Sequence, residues 1–272
     1  MLHHAGDRRA AGGLLYPEPI PKEVPGAMRL RHDDPLARAL VQAIQGGDVD
    51  AVQGLLRDHP GLAAARFEGA RGGAGTALHA VTDWPGFFPN GAKVAAALIA
   101  AGADVNDRGE GNDGRPGNEA PLHWAASSDD ADVAAALIAG GADVHAPGGS
   151  IGTPLANAVG YGCWQVASLL VDRGAKPDAL WIAAALGIMA EVERFFAATP
   201  APTAEEINHA FWQGCHGGQP RVAAYLLARG ADMAWVPDYA RGQTALAVAK
   251  QGGGTRWGIL ADWLEKQGEK SG

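Results

Sequence analysis

The sequence has few cysteines, no long apolar run and no excess of basic residues, and each lack excludes a class of protein. Cys163 and Cys215 are its two cysteines, too few for a disulfide framework, which predicts a reducing compartment. No stretch has a run of about 18 apolar residues, the length of a membrane span. The N-terminal segment lacks the apolar region of a secretory signal peptide. With 30 acidic residues against 22 basic ones, the chain lacks the positive field that nucleic acid requires. We therefore expect a cytoplasmic protein that binds neither membranes nor nucleic acid.

What the sequence does contain is a repeated pattern of alanine-rich helices. The stretches VAAALIAA, VAAALIAG, VASLLVDR and VAAYLLAR each precede a Gly-Ala pair, at residues 102, 141, 174 and 230. Upstream, the tetrapeptides TALH, APLH, TPLA and TALA begin at residues 76, 120, 153 and 244. A threonine suits a helix start because its hydroxyl satisfies free backbone N–H groups, and a glycine suits the left-handed residue at a helix end.

These two motifs in fixed register resemble the ankyrin-repeat family, with its TPLHxA start and GAD ending. The resemblance implies an all-α fold, an ankyrin-repeat solenoid of about seven helix pairs with short hairpin fingers. We expect the pairs to begin near residues 34, 76, 120, 153, 179, 203 and 244, with a capping box at Thr203. Residues 1–33 are predicted to be a proline-rich tail, and residues 34–272 the repeat domain. Leu14, Tyr16 and Ile20 of the tail either lie free or pack across the first pair. The fifth pair has lost both motifs, so the stack is expected to bend there.

Two insertions interrupt the pattern. The finger DVNDRGEGNDGRPGNE, residues 104–119, is longer than the next one; its GEGNDG is not a dinucleotide site because no βαβ unit surrounds it. It also lacks the ligands of a calcium loop. The segment WPGFFPN, residues 84–90, lengthens the turn between two helices and carries three aromatic rings. We expect these rings to fold over a groove as a lid, because aromatic clusters do not stay in water without reason.

Alignment on the Thr-x-Leu-His register places the ends of the first helices at equivalent positions, which the resemblance implies face a concave groove. They are Asp83 and Trp84, Ser127 and Ser128, Gly160 and Tyr161, and His216 and Gly217. The predicted catalytic residues are Asp83, His216 and Tyr161. The predicted ligand-binding residues are Trp84, Phe87, Phe88, Trp124, Ser127, Ser128, Asp129, Trp164, Trp181 and Trp212. Such an aromatic groove with a few polar groups is typical of a ligand site.

Each of these residues has a structural alternative. The histidines of the TPLH elements, His79 and His123, are expected to hydrogen-bond between repeats. The tryptophans are equally explained as core residues around the fifth pair, and Asp129 and Asp130 as caps of the helix that follows them. No cofactor is predicted, and no metal site, because no close pair has ligand spacing such as HxxxH or CxxC. Cys215 and His216 point apart on a helix and are not expected to act together.

The segments DWPGFFPN, HWAASSDD and CHGGQ resemble those of stand-alone actinobacterial ankyrin proteins, some of them associated with natural-product pathways. That resemblance implies a cofactor-free catalyst of aldol-type condensation or cyclisation of a small molecule. Asp83 or His216 would remove a proton beside a carbonyl, and Tyr161 or Ser127 would donate a hydrogen bond to the enolate oxygen. The alternative is a non-catalytic scaffold whose groove grips a partner protein.

Overall fold

The protein consists of consecutive helix pairs. A computed structural model describes residues 28–70, 72–113 and 117–271. The first helices of the pairs are α1 (Pro35–Gly46), α3 (Ala77–Thr82), α5 (Pro121–Ser128), α7 (Pro154–Gly160), α9 (Leu180–Leu186), α11 (Ala204–His216) and α13 (Ala245–Gln251). The second helices are α2 (Val49–Asp58), α4 (Gly91–Ala100), α6 (Ala131–Ala139), α8 (Trp164–Asp172), α10 (Met189–Ala197), α12 (Pro220–Leu227) and α14 (Thr255–Ser271). Short 3-10 turns cover Leu62–Ala64 and Asp238–Ala240.

The first helices begin at the predicted residues, and side-chain oxygens cap five of them; α5 and α9 follow alanines and have no side-chain cap. Thr153 accepts a hydrogen bond from the N–H of Ala156, and Thr244 accepts one from the N–H of Ala247. At α11, Thr203 accepts from the N–H of Glu206 and the Glu206 carboxylate accepts from the N–H of Thr203. The predicted capping box is therefore confirmed, and it satisfies two N–H groups that the helix leaves unpaired.

The pairs pack in chain order. The first helices contact one another in the sequence α1, α3, α5, α7, α9, α11 and α13. The core consists of two clusters of buried side chains, one from Leu40 to Ala185 and one from Leu180 to Leu264. Helix α9 of the irregular fifth pair contributes to both clusters, with Ile182 in the first and Ala184 in the second. The fifth pair is thus the place where one core ends and the next begins.

A small sheet lies beside the first two pairs. Strand β1 (Arg29–Arg31) is parallel to β2 (Arg66–Glu68), which is antiparallel to β3 (Ala74–Gly75). Ala74 also forms a bridge with Glu110 of the long finger. This differs from the expectation of finger hairpins alone, because β1 pairs with a segment far along the chain. The predictions for the tail up to residue 27, including those for Leu14, Tyr16 and Ile20, lie outside the described residues.

Ion pairs join this sheet to the long finger. The guanidinium of Arg29 donates two hydrogen bonds to Glu110, at 2.9 and 3.0 Å, and one to Glu68 at 3.1 Å. These bonds hold the pKa of Glu110 below its usual value, chiefly through Arg29. Arg66 pairs with Asp107 on the same finger. Asp107 and Glu110 of the finger therefore form ion pairs with arginines of the sheet.

A membrane-spanning segment is not found in the described ranges, where every helix is too short or too polar for that role.

Candidate functional site

The loop at residues 84–90 is fixed to its neighbours but leaves two of its rings in solvent. Trp84 is 83% exposed and Phe87 is 62% exposed, whereas Phe88 is half-buried. The N–H of Phe87 donates to the Asp130 carboxylate at 2.8 Å. The side-chain amide of Asn90 donates to the carbonyl oxygen of Gly47 at 3.0 Å. Trp84 therefore does not cover a groove in this structure, whereas Phe87 borders the small groove described below.

Phe87 also has an unusual backbone conformation. Its φ angle is +56°, in the left-handed region that a bulky side chain rarely adopts. The bond from its N–H to Asp130 helps to hold this geometry. A groove of about 300 Å³ lies beside the ring and is lined by Phe88, Lys93 and Asp132 among others. Backbone strain of this kind persists where the surrounding structure enforces it, and it is frequent in recognition and switch segments.

Asp83 ends helix α3 in an exposed position. Its carboxylate accepts a hydrogen bond from the N–H of Trp84 at 2.8 Å. Helices α5, α7 and α9 lie between α3 and the helix that carries His216. At about 8–10 Å for each of the four steps between neighbouring helices, the separation is about 32–40 Å. The structure therefore does not bring Asp83 and His216 together, and it does not bury Asp83 beneath aromatic rings.

The polar residues predicted on α5 serve the helix and its neighbours. The hydroxyl of Ser127 donates to the carbonyl oxygen of His123 at 2.9 Å, and that of Ser128 donates to the carbonyl oxygen of Trp124 at 3.2 Å. The Asp129 carboxylate accepts from the N–H of Val166 at 3.0 Å, in the first turn of α8. Asp129 therefore caps the second helix of the next pair, whereas Asp130 caps the following helix α6, as predicted for both residues, by accepting from the N–H of Val133 at 3.1 Å.

Replacing Asp129 by Ala is expected to lower the free energy of unfolding by about 2 kcal/mol, about 1 for the lost cap and about 1 for an alanine held at positive φ. The thermal midpoint should fall by about 4–8 °C. Asp129→Asn is the matched control, because asparagine retains an acceptor oxygen and tolerates the +58° φ angle of this residue. Equal losses in the two variants, measured by thermal unfolding, would show that the carboxylate oxygen is not a cap.

Trp124 lies apart from the other tryptophans, against a cavity beneath the fingers. Its ring meets that of His79 edge to face, with centroids 5.1 Å apart. Both side chains line a cavity of about 510 Å³, together with Phe67, Glu119 and Ser150. His79 itself bonds between repeats, with Nε2 3.0 Å from the carbonyl oxygen of Glu119. Burial lowers the pKa of His79, so the residue is a neutral structural bridge as expected.

The remaining predicted tryptophans gather around helix α11 with His216. The rings of Trp164 and His216 have centroids 5.1 Å apart, and those of Trp212 and His216 are 5.5 Å apart. The ring of Trp181 stacks on that of His209, with centroids 5.5 Å apart. The ring centroids of Tyr239 and Trp212 are 5.9 Å apart. We call this group the α11 site, and its members are Trp164, Trp181, His209, Trp212, Gln213, His216, Trp235 and Tyr239.

Hydrogen bonds connect the polar members of the α11 site in a single chain. Nδ1 of His216 lies 3.3 Å from Oε1 of Gln213, and Nε2 of Gln213 donates to the Tyr239 hydroxyl at 3.0 Å. The same hydroxyl lies 2.8 Å from Nε2 of His209. The Tyr239 hydroxyl therefore links Gln213 to His209.

Burial keeps this chain uncharged. Desolvation lowers the pKa of His216, and it lowers the pKa of His209 against an opposing attraction from Asp238. Burial raises the pKa of Tyr239 to about 12. Both imidazoles and the phenol are therefore neutral near pH 7. Nε2 of His216 and Nδ1 of His209 have no hydrogen-bond partner in the part of the chain that the structure describes, and neither atom is fully buried.

Two predicted residues have mixed outcomes. Tyr161 is 54% exposed, and its hydroxyl lies 3.3 Å from Oγ of Ser150. It precedes Gly162, which lies against the His216 ring, so Tyr161 and His216 share a neighbourhood without a bond between their side chains. Trp212 is 5% exposed, and its indole N–H donates to the carbonyl oxygen of Gln243 at 2.8 Å. Trp212 is therefore a core residue that also backs the site.

Sequence reasoning missed His209, Gln213, Trp235 and Tyr239. His209 and Gln213 could have been predicted from the sequence, because residues 209, 212, 213 and 216 are spaced as one face of a helix. Trp235 and Tyr239 approach from the finger between α12 and α13, and sequence spacing gives no signal for that contact. Within the described residues, no group of three or more His, Cys, Asp or Glu side chains is placed to hold a metal ion.

Comparison with known proteins identifies a repeat in the middle of the chain. Residues 118–148 match the family model of the Ankyrin repeat. The matched segment contains α5, α6 and the turn after them. The search of curated proteins gave no match. Solenoids of such repeats present extended concave binding surfaces. The helix pair α5 and α6 is thus assigned to the ankyrin repeat.

Proposed function

We propose that the chain is a cytoplasmic ankyrin solenoid of seven helix pairs that binds a partner protein without catalysis. The observation that carries this proposal is the loop at residues 84–90, which is hydrogen-bonded to the pairs on either side while Trp84 and Phe87 stay exposed. A lid would need freedom to open and close. A fixed loop with exposed rings is instead suited to recognition. The loop is already ordered in the free protein, so binding a partner costs little further conformational entropy.

The chemistry of this loop favours a protein surface as the occupant. Exposed tryptophan and phenylalanine side chains act as anchors at protein interfaces when they enter pockets of the partner. The groove of about 300 Å³ beside Phe87 is large enough for one partner side chain. The net charge of −8 favours a partner with a basic rim, since opposite charge speeds encounter.

Replacing Trp84 by Ala tests this proposal. Partner proteins would be captured from the native host by crosslinking, expressed pure and titrated against the full chain. Loss of an anchor residue is expected to weaken binding by about 10- to 30-fold, while the thermal midpoint stays within about 1 °C because the ring makes few internal contacts. Ile259→Ala is the matched control, as Ile259 is 58% exposed on α14 and far from the loop in the chain.

Unchanged affinity in Trp84→Ala would contradict the anchor role. A drop in thermal midpoint of several degrees in that variant would instead assign Trp84 to the fold. If no protein is retained and a small molecule is, the scaffold proposal fails in favour of the second candidate.

A second candidate is cofactor-free acid–base chemistry on a small molecule at the α11 site. One observation favours it, namely that Nε2 of His216 has no hydrogen-bond partner among the described residues while burial lowers the pKa of its imidazole. A neutral histidine with an accessible nitrogen can remove a proton near pH 7. In this mechanism Tyr161 donates a hydrogen bond to the substrate, and Asp83 takes no part. The reaction is the condensation or cyclisation that the resemblance implies. Mass spectrometry of the protein from its native host, searched for a retained small molecule, is the test.

A further inference from the structure

The cavity beneath the fingers is built by the segments that depart from the repeat pattern. The small sheet, the long finger and the next finger form its walls, and helix α5 adds Trp124. Its volume of about 510 Å³ lies in the range of sites that hold small molecules. We call it the finger cavity, and its lining includes Phe67, Asn112, Asn118, Glu119, Trp124 and Ser150.

Bonds within the chain hold the walls of the finger cavity in place. Ala74 and Glu110 exchange two N–H···O bonds, at 2.7 and 3.0 Å, and the N–H of Gly149 donates to the carbonyl oxygen of Asn118 at 2.9 Å. Gly109 lets the finger pass close to the sheet, because a Cβ atom there would lie 2.5 Å from the carbonyl oxygen of Ala74. These walls are thus formed before a ligand binds, which lowers the entropy cost of binding.

Several polar groups of the lining have no partner within the chain. The side-chain amides of Asn112 and Asn118 and the indole N–H of Trp124 make no hydrogen bond to any residue that the structure describes. The Glu119 carboxylate accepts two hydrogen bonds through Oε1, at 2.9 and 3.1 Å, while its Oε2 has no donor within the described ranges. The amides are both donors and acceptors, as is each hydroxyl group of a sugar.

The charges around the finger cavity are balanced. Arg108 and Glu119 supply one charge of each sign. Glu110 is paired with Arg29 at 2.9 and 3.0 Å, and burial lowers the pKa of His79, which leaves that ring neutral near pH 7. An ion would therefore meet no surplus of opposite charge among the described lining residues, whereas a neutral polar ligand needs none.

Trp124 offers an apolar surface to the same ligand. Its ring is half-buried and meets the His79 ring edge to face, so this contact covers at most one of the two indole faces. Phe67 adds a second ring to the lining. A pyranose has C–H groups across its faces and hydroxyl groups around its rim, so it combines an apolar surface with many donors and acceptors.

We propose that the finger cavity binds a neutral pyranose sugar. The C–H face of the sugar packs on Trp124, and its hydroxyl groups bond to the amides of Asn112 and Asn118 and to Oε2 of Glu119. This inference goes beyond the proposed protein-binding function and is independent of it, because the described lining contains no residue of the 84–90 loop.

The test follows the indole N–H signals by NMR while glucose, galactose and mannose are each titrated into the full chain. The chain has eight tryptophans, and the Trp124 signal is the one that disappears in Trp124→Phe. We expect at least one of these sugars to shift this signal with a Kd on the order of 1 mM, because a few hydrogen bonds and one ring contact are available. The uronate and amino-sugar analogues of that sugar carry negative and positive charge near pH 7 and should bind more weakly.

Asn118→Ala removes an exposed amide and is expected to weaken sugar binding about 3- to 10-fold without loss of thermal stability. Gln53→Ala is the matched control, because Gln53 carries an exposed amide on α2, outside the finger cavity. Trp181→Phe is the control for location, since it makes the same change as Trp124→Phe at the α11 site. Both controls should bind the sugar as the wild type does.

The absence of a shift in the Trp124 signal with all three sugars, up to about 50 mM, overturns the inference. Unchanged affinity in Asn118→Ala overturns it as well, because a sugar bound elsewhere would not sense that amide. Tighter binding of a charged analogue refutes the neutral class of ligand. Loss of binding in Trp181→Phe, with normal binding in Asn118→Ala, would place the sugar at the α11 site instead. The titration of a protein partner against Trp84→Ala decides the proposed function separately from all of these results.

Discussion

Replacing Phe211 by Ala is expected to lower the free energy of unfolding by about 3–5 kcal/mol and the thermal midpoint by about 10 °C. Phe211 is 1% exposed and is the largest fully buried side chain among the described residues. It lies on α11, which packs against α9, α12 and α13, so its removal leaves a cavity that several helices would have to close. Such cavities relax only in part, which is why the cost exceeds the transfer free energy of the ring.

Phe87→Ala is the matched control, because the same side chain is removed from a position that is 62% exposed. Its effect should remain within about 0.5 kcal/mol. A loss below about 1 kcal/mol for Phe211→Ala, measured by denaturant unfolding, would show that the second core cluster is not closely packed.

The Phe211→Ala variant also predicts which helices lose protection from hydrogen exchange. Each pair of a repeat array contacts mainly its neighbours, so stability is shared locally. Amide hydrogen exchange in Phe211→Ala should accelerate in α11, α12 and α13, while α3 to α6 stay protected. Equal acceleration along the whole chain would mean that the two core clusters, which meet at α9, unfold as one unit.

Sequence alone predicted the helices well, because their signals are local. The helix starts at Thr153, Thr203 and Thr244 follow from a threonine whose hydroxyl bonds three residues ahead. Alanine-rich first helices and glycine turns are likewise set within a few residues. Strand β1 gave no such signal, because a three-residue strand depends on its partner β2 rather than on its own pattern.

The candidate site was predicted in part, and the errors have a common physical origin. His216, Trp164, Trp181 and Trp212 lie together as a shared register implied. Asp83 was grouped with them because alignment of the repeats identifies equivalent positions. The alignment does not show how far apart those positions lie along the stack. Trp84 and Phe87 were placed over a groove on the rule that exposed aromatic rings are unfavourable. The N–H of Phe87 instead bonds to Asp130, and a contact between residues 43 positions apart cannot be inferred from the sequence.

Replacing Gly47 by Ala is expected to cost about 3 kcal/mol of stability and to weaken partner binding as well. Gly47 ends α1 with a φ angle of +66°, which costs an alanine about 1 kcal/mol. A Cβ atom there would also lie 1.9 Å from the carbonyl oxygen of Pro89, which forces the 84–90 loop away at a further cost of about 1–3 kcal/mol. The carbonyl oxygen of Gly47 also accepts the bond from Asn90 that holds this loop.

Gly61→Ala separates the two causes, because Gly61 has a φ angle of +90° and no atom within 4 Å of a built Cβ. That variant should lose only about 1 kcal/mol and bind the partner normally. If Gly47→Ala costs no more than Gly61→Ala, the loop is not packed against the first pair. If it costs more but partner affinity is unchanged, the loop moves without consequence, and Trp84 and Phe87 are not the anchors. Loss of both stability and affinity in Gly47→Ala, with loss of stability alone in Gly61→Ala, is the result expected of a recognition loop that works because the neighbouring pairs hold it in place.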